Sequence, residues 1–459
     1  MSAPLNLAIV WAQYGPYHFA RMSALRKLAS SAKVHAVEMA NQTSVYAWSR
    51  PTGVEELITL CPDSVFENLS FWKVFLRARR TFKKLAVDVC ILPGYAPRQS
   101  LAALLAAKSL RIRTVMMNES HAGTSRAQGL ATVAKRRLMA LFDSALVGGN
   151  PQKRYAASFG FSREKIFIGY DAVDNDYFSK RADEIRARAS EIRAQFDLPE
   201  NYFLSLGRFV AKKNLVTLIR AYRLFLNANP GTRTHLVIVG SGEEDAALRK
   251  LCRELRLPVH DKTNSGRPNT EPKICASENS PGVHFYGFRQ IEDNPVFYSL
   301  ADAFVLPSLW EEWGLVVNEA MASGLPVVVS ETAGCAENLL LPGRLAAPLH
   351  WSENVRICLA QLAGRIRQNG FVFNPRSAQS LANALELLES SPELRRRMGQ
   401  SSRVIIEKFS CDNFARNALA AVRAATGNPS DIRFTTDEMA IPTPPTLVPR
   451  PSACDPSNQ

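Results

Sequence analysis

The sequence predicts an α/β protein of two domains, each organised around a mainly parallel β-sheet. Short apolar runs rich in β-branched residues alternate with stretches of helical periodicity along most of the 459 residues. The repeat is clearest at residues 301–330, where "ADAFVLPS" and "GLPVVVS" predict buried strands and "GLVVNEAMAS" between them predicts a helix. A content of 46% hydrophobic residues is enough to bury two separate cores.

The first domain is expected at residues 1–178. Helical stretches such as "SLAALLAAKSL" separate its strands, and the turn-rich segment "DAVDNDYFSK" marks its end. Its predicted strands are "LNLAIVWA", "KVHAVEMA", "DVCILPG", "RTVMMNES" and "SALVGGN".

The second domain is expected at residues 179–405, followed by a helix at 406–426 that contains "CDNFARNALAAVRAA". Residues 258–282 are polar and rich in Pro and Gly, which predicts an insertion loop. Residues 427–459 are rich in Pro without periodicity, which predicts a disordered tail. The predicted strands of the second domain are "NYFLSLGRF", "LVIVGSG", "VHFYGF", "ADAFVLPS" and "GLPVVVS".

Positive charge is concentrated in the first domain. Residues 1–176 contain 23 Lys and Arg against 12 Asp and Glu, so they carry +11 of the net charge of +14. The densest stretch, residues 71–85, predicts either a solvated amphipathic helix whose aromatic residues enter the core or a helix that docks to an anionic membrane. No nucleic-acid-binding motif accompanies the charge, so we expect no nucleic-acid partner. The membrane alternative requires exposed Arg79, Arg80, Lys83 and Lys84 beside Phe75 and Phe82.

The cysteines and the hydropathy pattern favour the cytoplasm. Eight Cys residues are scattered without a C-x-x-C pair, which argues against a disulfide framework. No apolar run of about 18 residues and no signal-peptide pattern is present. We therefore expect a cytoplasmic protein, with peripheral contact to the inner face of a membrane as an open alternative.

Two carboxylates are expected at a binding crevice. Glu311 lies in the loop before the helix of the clearest repeat, and Glu319 lies inside that helix. Ligands of parallel sheets bind beyond the carboxyl ends of the strands, where helix N-termini direct free N–H groups outward. The plain alternatives are a solvated loop acid for Glu311 and a helix-surface acid for Glu319.

Two cations lie at a second turn from strand to helix. Arg208 and Lys213 follow "LSLG", and such a pair suits a diphosphate, although residue types alone favour pairing with surface acids. Gly240 and Gly242 follow the next strand and allow a backbone to approach a ligand closely. They form only part of a dinucleotide fingerprint, because Asp245 stands at the third glycine position.

Together these motifs resemble the retaining glycosyltransferases of family four. The resemblance covers about residues 5–425 and is specific in the second domain. It implies the GT-B fold, in which two Rossmann-like domains face each other across a deep cleft and a C-terminal helix crosses back to the first domain. The segments that carry it are "LSLGRFVAKKN", "LVIVGSGEE", "FYGF", "ADAFVLPSLWEEWGLVVNEAMASGLPVVVS" and "DAVDNDYF".

The resemblance also implies roles for particular residues. Glu311 would contact the hydroxyls of the donor sugar, Glu319 would accept hydrogen bonds from the ribose, and His121 in "NESHAG" would face the donor sugar. Arg208 and Lys213 would hold the diphosphate. The remaining expected nucleotide-sugar contacts are Gly240, Phe288, Arg289, Gly314 and Leu315.

The implied activity is transfer of a sugar, with retention, from a nucleotide-diphosphate sugar to a glycan or lipid-linked acceptor. The alternatives are an epimerase acting on a nucleotide sugar and a non-catalytic nucleotide-sugar-binding protein. We expect no cofactor and no metal, because protein cations can carry the diphosphate charge. The "DND" at residues 174–176 could hold a divalent ion, but acids at such positions more often form turns.

Overall fold

The structure, a computed structural model, describes residues 4–44, 56–124, 130–263, 280–343 and 365–427. Most of the expected insertion loop and almost all of the expected tail lie outside these residues. The described chain forms two α/β domains, each around a mainly parallel sheet, as expected from the sequence.

The first sheet has seven parallel strands in the order β3-β2-β1-β4-β5-β6-β7. Residues 7–10 in β1 are fully buried, because helices cover both faces of the sheet. Apolar residues on both faces of a strand require this double cover. The strands are β1 (Leu5–Trp11), β2 (Ala32–Gln42), β3 (Leu57–Val65), β4 (Val89–Leu92), β5 (Arg113–Asn118), β6 (Ser144–Val147) and β7 (Ile166–Ile168).

The second sheet has eight strands in the order β10-β11-β9-β8-β12-β13-β15-β14. All neighbours are parallel except the last pair, in which the edge strand β14 runs antiparallel. The strands are β8 (Tyr202–Leu206), β9 (His235–Val239), β10 (Val259–Asp261), β11 (Val283–Phe285), β12 (Ala303–Leu306), β13 (Val327–Ser330), β14 (Ile366–Arg367) and β15 (Gly370–Phe373).

Helices flank both sheets. In the first domain they are α1 (Pro16–Leu28), α2 (Phe71–Lys84), α3 (Arg98–Ser109), α4 (Leu130–Met139) and α5 (Asn150–Ser158). The helices from the domain connection onward are α6 (Asn175–Arg186), α7 (Ala189–Phe196), α8 (Leu215–Ala228), α9 (Asp245–Glu254), α10 (Asn294–Leu300), α11 (Leu315–Ala322), α12 (Ala336–Leu339), α13 (Ala378–Ser390), α14 (Pro392–Ile406) and α15 (Cys411–Thr426).

The chain passes between the domains before residue 178. The last strand of the first sheet ends at Ile168, and α6 packs against α10 and α11 of the second domain. Asp174 caps α6 by accepting a hydrogen bond from the backbone N of Tyr177 at 2.9 Å. This capping role explains an Asp at the start of "DND" without a metal ion.

The crossover helix expected at the C-terminus is α15. It packs against α1 and against β5, β6 and β7 of the first sheet. The hydroxyl of Ser144 on β6 donates a hydrogen bond to the backbone O of Ala421 at 2.7 Å. The helix ends at Gly427, whose φ of +74° is a conformation that favours glycine.

Helix α2 meets only part of the condition that the membrane alternative sets. Arg79, Arg80, Lys83 and Lys84 face solvent, but Phe82 is fully buried and Phe75 is half-buried. The apolar side chains that face solvent are Trp72 and Leu76, which are 67% and 62% exposed. Helical periodicity turns Phe75 and Phe82 towards the core, as the solvated-helix alternative expects, so an apolar contact with a membrane would have to come from Trp72 and Leu76.

Candidate functional site

The loops that follow β8 and β12 meet at the carboxyl edge of the second sheet. The two strands are neighbours, with Ala303 opposite Phe203. The backbone N of Leu309 also donates to the backbone O of Lys212 at 2.8 Å. Because parallel strands end at the same edge, Lys213 and Glu311 come together although 98 residues separate them.

Glu311 is buried and is surrounded by donors. Its side-chain carboxylate pairs with the ammonium of Lys213 and accepts a hydrogen bond from the hydroxyl of Ser308 at 3.1 Å. The ammonium of Lys212 lies 3.7 Å away. Only 8% of Glu311 is exposed, so the alternative of a solvated loop acid is wrong.

His121 reaches this loop from the first domain. It follows β5, and its Nε2 lies 2.9 Å from the backbone O of Glu311. Its Nδ1 accepts a hydrogen bond from the backbone N of Gly123 at 3.2 Å, so Nε2 carries the proton and donates to Glu311. The two residues that the resemblance places at the donor sugar are thus in direct contact across the domain boundary.

Glu319 is fully buried in α11, so it is not a helix-surface acid. Tyr17, which lies in α1 of the first domain, donates its hydroxyl hydrogen bond to the Glu319 carboxylate. The side-chain amide of Asn294 lies 3.4 Å from the same carboxylate. Burial raises the pKa of Glu319 to about 7, and the hydrogen bonds from its neighbours oppose this rise.

Arg208 and Lys213 line one small cavity at the end of β8. Gly207 and Pro307 also line it. Arg208 is exposed, whereas Lys213 is partly buried and pairs with Glu311 rather than with a surface acid. The cavity therefore has two cations on its wall, at the edge of the sheet where α8 begins.

Gly240 and Gly242 allow backbone segments to approach each other. A Cβ on Gly240, whose φ is +140°, would lie 1.9 Å from the backbone O of Gly207. A Cβ on Gly242 would lie 2.4 Å from the backbone O of Phe209. The backbone that approaches these two glycines is therefore that of the loop after β8. Contact of Gly240 with a ligand stays a prediction.

The other expected contacts lie at the same edge of the sheet. Phe288 follows β11 and is 44% exposed, and Arg289 donates a hydrogen bond to the backbone O of Lys262 at 3.3 Å. Gly314 precedes α11 with a φ of +108°, where a Cβ would lie 3.0 Å from Leu306. Leu315 is the first residue of α11 and is half-buried.

Sequence reasoning missed the residue that packs the two domains together. Trp313 stands between Glu312 and Gly314 and is only 1% exposed. A Cβ on Gly148 or Gly149, at the end of β6, would lie 2.9 or 2.8 Å from the indole ring. Gly148 and Gly149 therefore leave room for Trp313, and nothing in the sequence connects these distant segments.

A buried acid pair in the first domain was also missed. Asp171 is fully buried, and burial together with the charge of Glu119 raises the pKa of Asp171 well above its usual range. Burial likewise raises the pKa of Glu119, while the guanidinium of Arg21 lowers it. The side-chain amide of Asn318 donates to the backbone O of Asp171 at 3.0 Å, which links this pair to α11.

His18, in the first turn of α1, has a local structural contact. Its Nδ1 accepts a hydrogen bond from the backbone N of Gly15 at 2.9 Å, which helps to cap α1. The ring also packs 4.7 Å from that of Trp11. Burial lowers the pKa of His18 to about 3, so the imidazole is neutral.

Comparison with known proteins assigns the second domain, which carries this edge, to a family. Residues 200–390 match the family described as "Glycosyl transferases group 1", so the second domain is a group 1 glycosyltransferase domain. This confirms the resemblance that the sequence motifs indicated.

Known proteins of this class are similar over different lengths. Mannosylfructose-phosphate synthase of Agrobacterium fabrum is 29% identical over 180 residues, which are 38% of this chain and 35% of that protein. The chain spans between 35% and 56% of the length of the curated relatives it matches.

Solved structures share the whole fold at low sequence identity. A Rickettsia africae glycosyltransferase superposes with a TM-score of 0.64 at 14% identity, over 92% of this chain and 99% of that one. Anabaena HepE, solved in complex with UDP-glucose, superposes with a TM-score of 0.59 at 14% identity, over 92% of this chain and 100% of that one.

Proposed function

We propose that the protein is a retaining glycosyltransferase that moves a sugar from a nucleotide-diphosphate sugar to an acceptor hydroxyl. The observation that carries the proposal is the convergence of Arg208, Lys213, Glu311 and Glu319 at one edge of the second sheet, with His121 opposite. A nucleotide sugar has a diphosphate between two groups of hydroxyls, so its site needs cations in the middle and acceptors at the ends.

The diphosphate would be held by Arg208 and Lys213. In the described structure the charge of Lys213 is matched by Glu311. A diphosphate would share the Lys213 ammonium and leave Glu311 able to accept hydrogen bonds from sugar hydroxyls. The N-terminus of α8 adds a favourable dipole at the same edge.

The reaction would proceed on one face of the sugar. No side chain in the sequence motif is an evident nucleophile for the far face of the sugar, and the resemblance favours retention. The departing phosphate would accept the proton of the incoming hydroxyl, with Arg208 and Lys213 stabilising the charge that develops on the leaving group. His121 and Glu311 would orient the sugar.

Calorimetry with UDP, GDP and ADP tests donor binding directly. We expect one of them to bind, and Lys213→Ala or Arg208→Ala to weaken that binding by about 10- to 150-fold, the effect of one charge-assisted hydrogen bond. Lys250→Ala is the control, because Lys250 lies on α9, is 73% exposed and does not line the cavity. It should change affinity by less than about fivefold.

Wild-type affinity in both the Lys213 and the Arg208 variant would remove the two cations from the site. Product formation is a separate question, answered by incubating the bound donor sugar with acceptors and determining the anomeric configuration by NMR. An epimerised donor formed without acceptor would instead support the epimerase.

We propose that transfer needs no divalent metal ion, because protein cations carry the diphosphate charge. EDTA should therefore leave turnover unchanged. If EDTA abolishes turnover and Mn²⁺ restores it, metal-free transfer is wrong and the acids at 174–176 become the first ligands to test.

We propose that the first domain binds the acceptor. We also propose that α2 docks this domain at an anionic membrane surface on the cytoplasmic side. Trp72 and Leu76 are one turn apart, and the spacing of Arg79, Arg80 and Lys83 continues the same exposed face. Such a face suits anionic headgroups, with about 1 kcal/mol for each cation near the surface. No helix among the described residues is long and apolar enough to cross a membrane.

Vesicle sedimentation tests the docking at low salt, where the attraction is strongest. The wild type should sediment with anionic vesicles and not with zwitterionic ones. Arg79→Glu/Arg80→Glu should abolish sedimentation, whereas the same charge change on α9, Lys250→Glu/Arg253→Glu, should not. If the wild type ignores anionic vesicles, the docking is wrong and a soluble acceptor becomes the better hypothesis.

A further inference from the structure

Three of the seven histidines of the chain converge on the outer strands of the second sheet, away from the cleft. His235 begins β9, while His260 and His284 are the central residues of β10 and β11. Among the described residues, this is the group of three or more His, Cys, Asp or Glu side chains close enough together to hold a metal ion.

Strand register explains why the three rings share one face. His260 is directly opposite His284, which in turn is opposite Val237 on β9. His235 is two residues before Val237, so its side chain leaves the sheet on the same side. The His260 and His284 rings stack 4.2 Å apart, and the His235 and His284 ring centroids are 4.8 Å apart.

The three rings share one nitrogen–nitrogen hydrogen bond and leave two other ring nitrogens unsatisfied. Nδ1 of His235 accepts from the backbone N of Gly282 at 3.2 Å and lies 2.9 Å from Nε2 of His284. His284 therefore donates from Nε2, which leaves its Nδ1 unprotonated. Nδ1 of His284 and Nε2 of His260 are buried and have no hydrogen-bond partner within the described part of the chain.

Buried nitrogen atoms without partners are costly, and they are what a metal ion would satisfy. His284 is only 6% exposed, so water does not freely solvate its ring. Gly282 leaves room for the group, because a Cβ there would lie 3.0 Å from Nε2 of His260.

We propose that His235, His260 and His284 form a binding site for a borderline transition-metal ion, with Zn²⁺ as the best fit. One ligand nitrogen from each ring lies within 4.8 Å of the others. Two ligands on a tetrahedral Zn²⁺ lie about 3.3 Å apart, given Zn–N distances of about 2.0–2.1 Å. Metal binding would unstack His260 from His284 and replace the hydrogen bond between His284 and His235, so that one nitrogen of each ring faces the ion, and a solvent molecule would complete the coordination.

The chemistry of the ligands selects the metal. Imidazole suits Zn²⁺, Co²⁺, Ni²⁺ and Cu²⁺, whereas Mg²⁺ and Ca²⁺ prefer oxygen ligands. The neighbouring ammonium of Lys262 is paired with Asp197, which offsets its repulsion of a cation.

The position of the site sets its role. His235 is at the amino end of β9, and Gly240, which packs on the loop of the two cavity cations, follows the carboxyl end of that strand. The metal would therefore not touch the diphosphate or the sugar. It would tie the three-residue edge strand β10 to β11 and β9 and so stabilise the outer edge of the second domain.

The experiment uses the full chain without an affinity tag, stripped with EDTA and then titrated with ZnCl₂ or CoCl₂. We expect one Zn²⁺ per chain at micromolar or lower concentration, a rise in melting temperature of a few degrees, and the visible spectrum of tetrahedral Co²⁺. MgCl₂ and CaCl₂ should produce none of these changes.

His260→Gln should weaken Zn²⁺ binding by at least about 100-fold, since even the loss of an outer-shell partner costs 10- to 100-fold. His35→Gln is the matched control, a half-buried histidine of the first domain, and should bind Zn²⁺ as the wild type does. Unchanged nucleotide affinity in His260→Gln would show that the variant is folded and that this site is separate from the donor site.

No Zn²⁺ uptake by the wild type, equal uptake by His260→Gln, or sulfur ligands in the X-ray absorption spectrum of the bound metal would each overturn the proposal. Loss of nucleotide affinity in His260→Gln would overturn the separation of the two sites. Turnover in EDTA bears only on the donor site, so the two proposals can fail independently.

Discussion

In the second domain, four polar residues at the cleft come from two short segments of sequence, whereas the first domain supplies its residues from the ends of several strands. Arg208 and Lys213 follow β8, and Glu311 and Glu319 follow β12. Tyr17, His121, Gly148 and Asp171 follow β1, β5, β6 and β7 in turn.

Both domains have a mainly parallel sheet, so they differ in how the residues at the cleft are distributed along the sequence. The second domain has a compact motif that a sequence reader can recognise. The first domain acts on the same cleft through single residues that are far apart in sequence. Substitutions at the contacts between the domains should therefore show which properties of the cleft depend on the second domain alone and which depend on the first domain as well.

Trp313→Ala should produce the largest effect. Removing a fully buried indole between the domains should lower the free energy of unfolding by about 3–5 kcal/mol. Urea denaturation measures this loss. Trp313→Phe should recover much of it, and a loss below about 1 kcal/mol would mean that the packing of Trp313 on Gly148 and Gly149 contributes little.

Glu319→Gln should change how stability depends on pH. The pKa of Glu319 in the folded protein is about 7, above its ordinary value of 4.5. The folded state therefore holds a proton that the unfolded state releases, and stability present below about pH 4.5 is lost as pH rises through 7, by about 3 kcal/mol.

Urea denaturation of the wild type and Glu319→Gln at pH 5 and pH 8 measures this term. The wild type should lose more stability than the variant over that interval. Parallel pH profiles would show that Glu319 titrates normally and that its burial is not the cause of a shift.

Tyr17→Phe should have a smaller effect, about 1–3 kcal/mol, because it removes a hydrogen bond that crosses the domain boundary to a buried carboxyl group. Because the Tyr17 hydroxyl lowers the pKa of Glu319, the pH at which this stability is lost should also move upward in the variant. If the variant is less stable but loses this stability at the same pH as the wild type, the Tyr17 hydroxyl does not affect Glu319 and Tyr17 has a packing role alone.

Arg154→Ala should have the smallest effect. Arg154 pairs with Glu337 across the boundary at 2.5 Å, but the side chains are 60% and 45% exposed. Solvent screening limits such a pair to about 0–1 kcal/mol. The difference from the wild type should disappear in high salt, and a salt-independent loss above about 1 kcal/mol would show that this exposed pair organises the interface.

Sequence patterns located most of the second domain because its strands and its polar loops are local features. Apolar runs identify parallel strands covered on both faces, and the strand-to-helix turns place Arg208, Lys213 and Glu311 at one edge. The pairing of Lys213 with Glu311 and the burial of Glu319 needed the structure, because they depend on strand order and on Tyr17 from the other domain. The pattern of α2 left two alternatives open, and the structure was needed to show that Phe82 is buried while Trp72 and Leu76 face solvent.

The sequence by itself determined the α/β class, the two-domain organisation, the crossover helix and the segments that carry the group 1 signature, because each depends on periodicity or short motifs. Tertiary structure alone decided which side chains meet. Trp313 packs on Gly148, His121 donates to Glu311, and His235, His260 and His284 share one face of the sheet. These contacts depend on strand order, register and domain packing, which bring residues together across separations that no local pattern encodes.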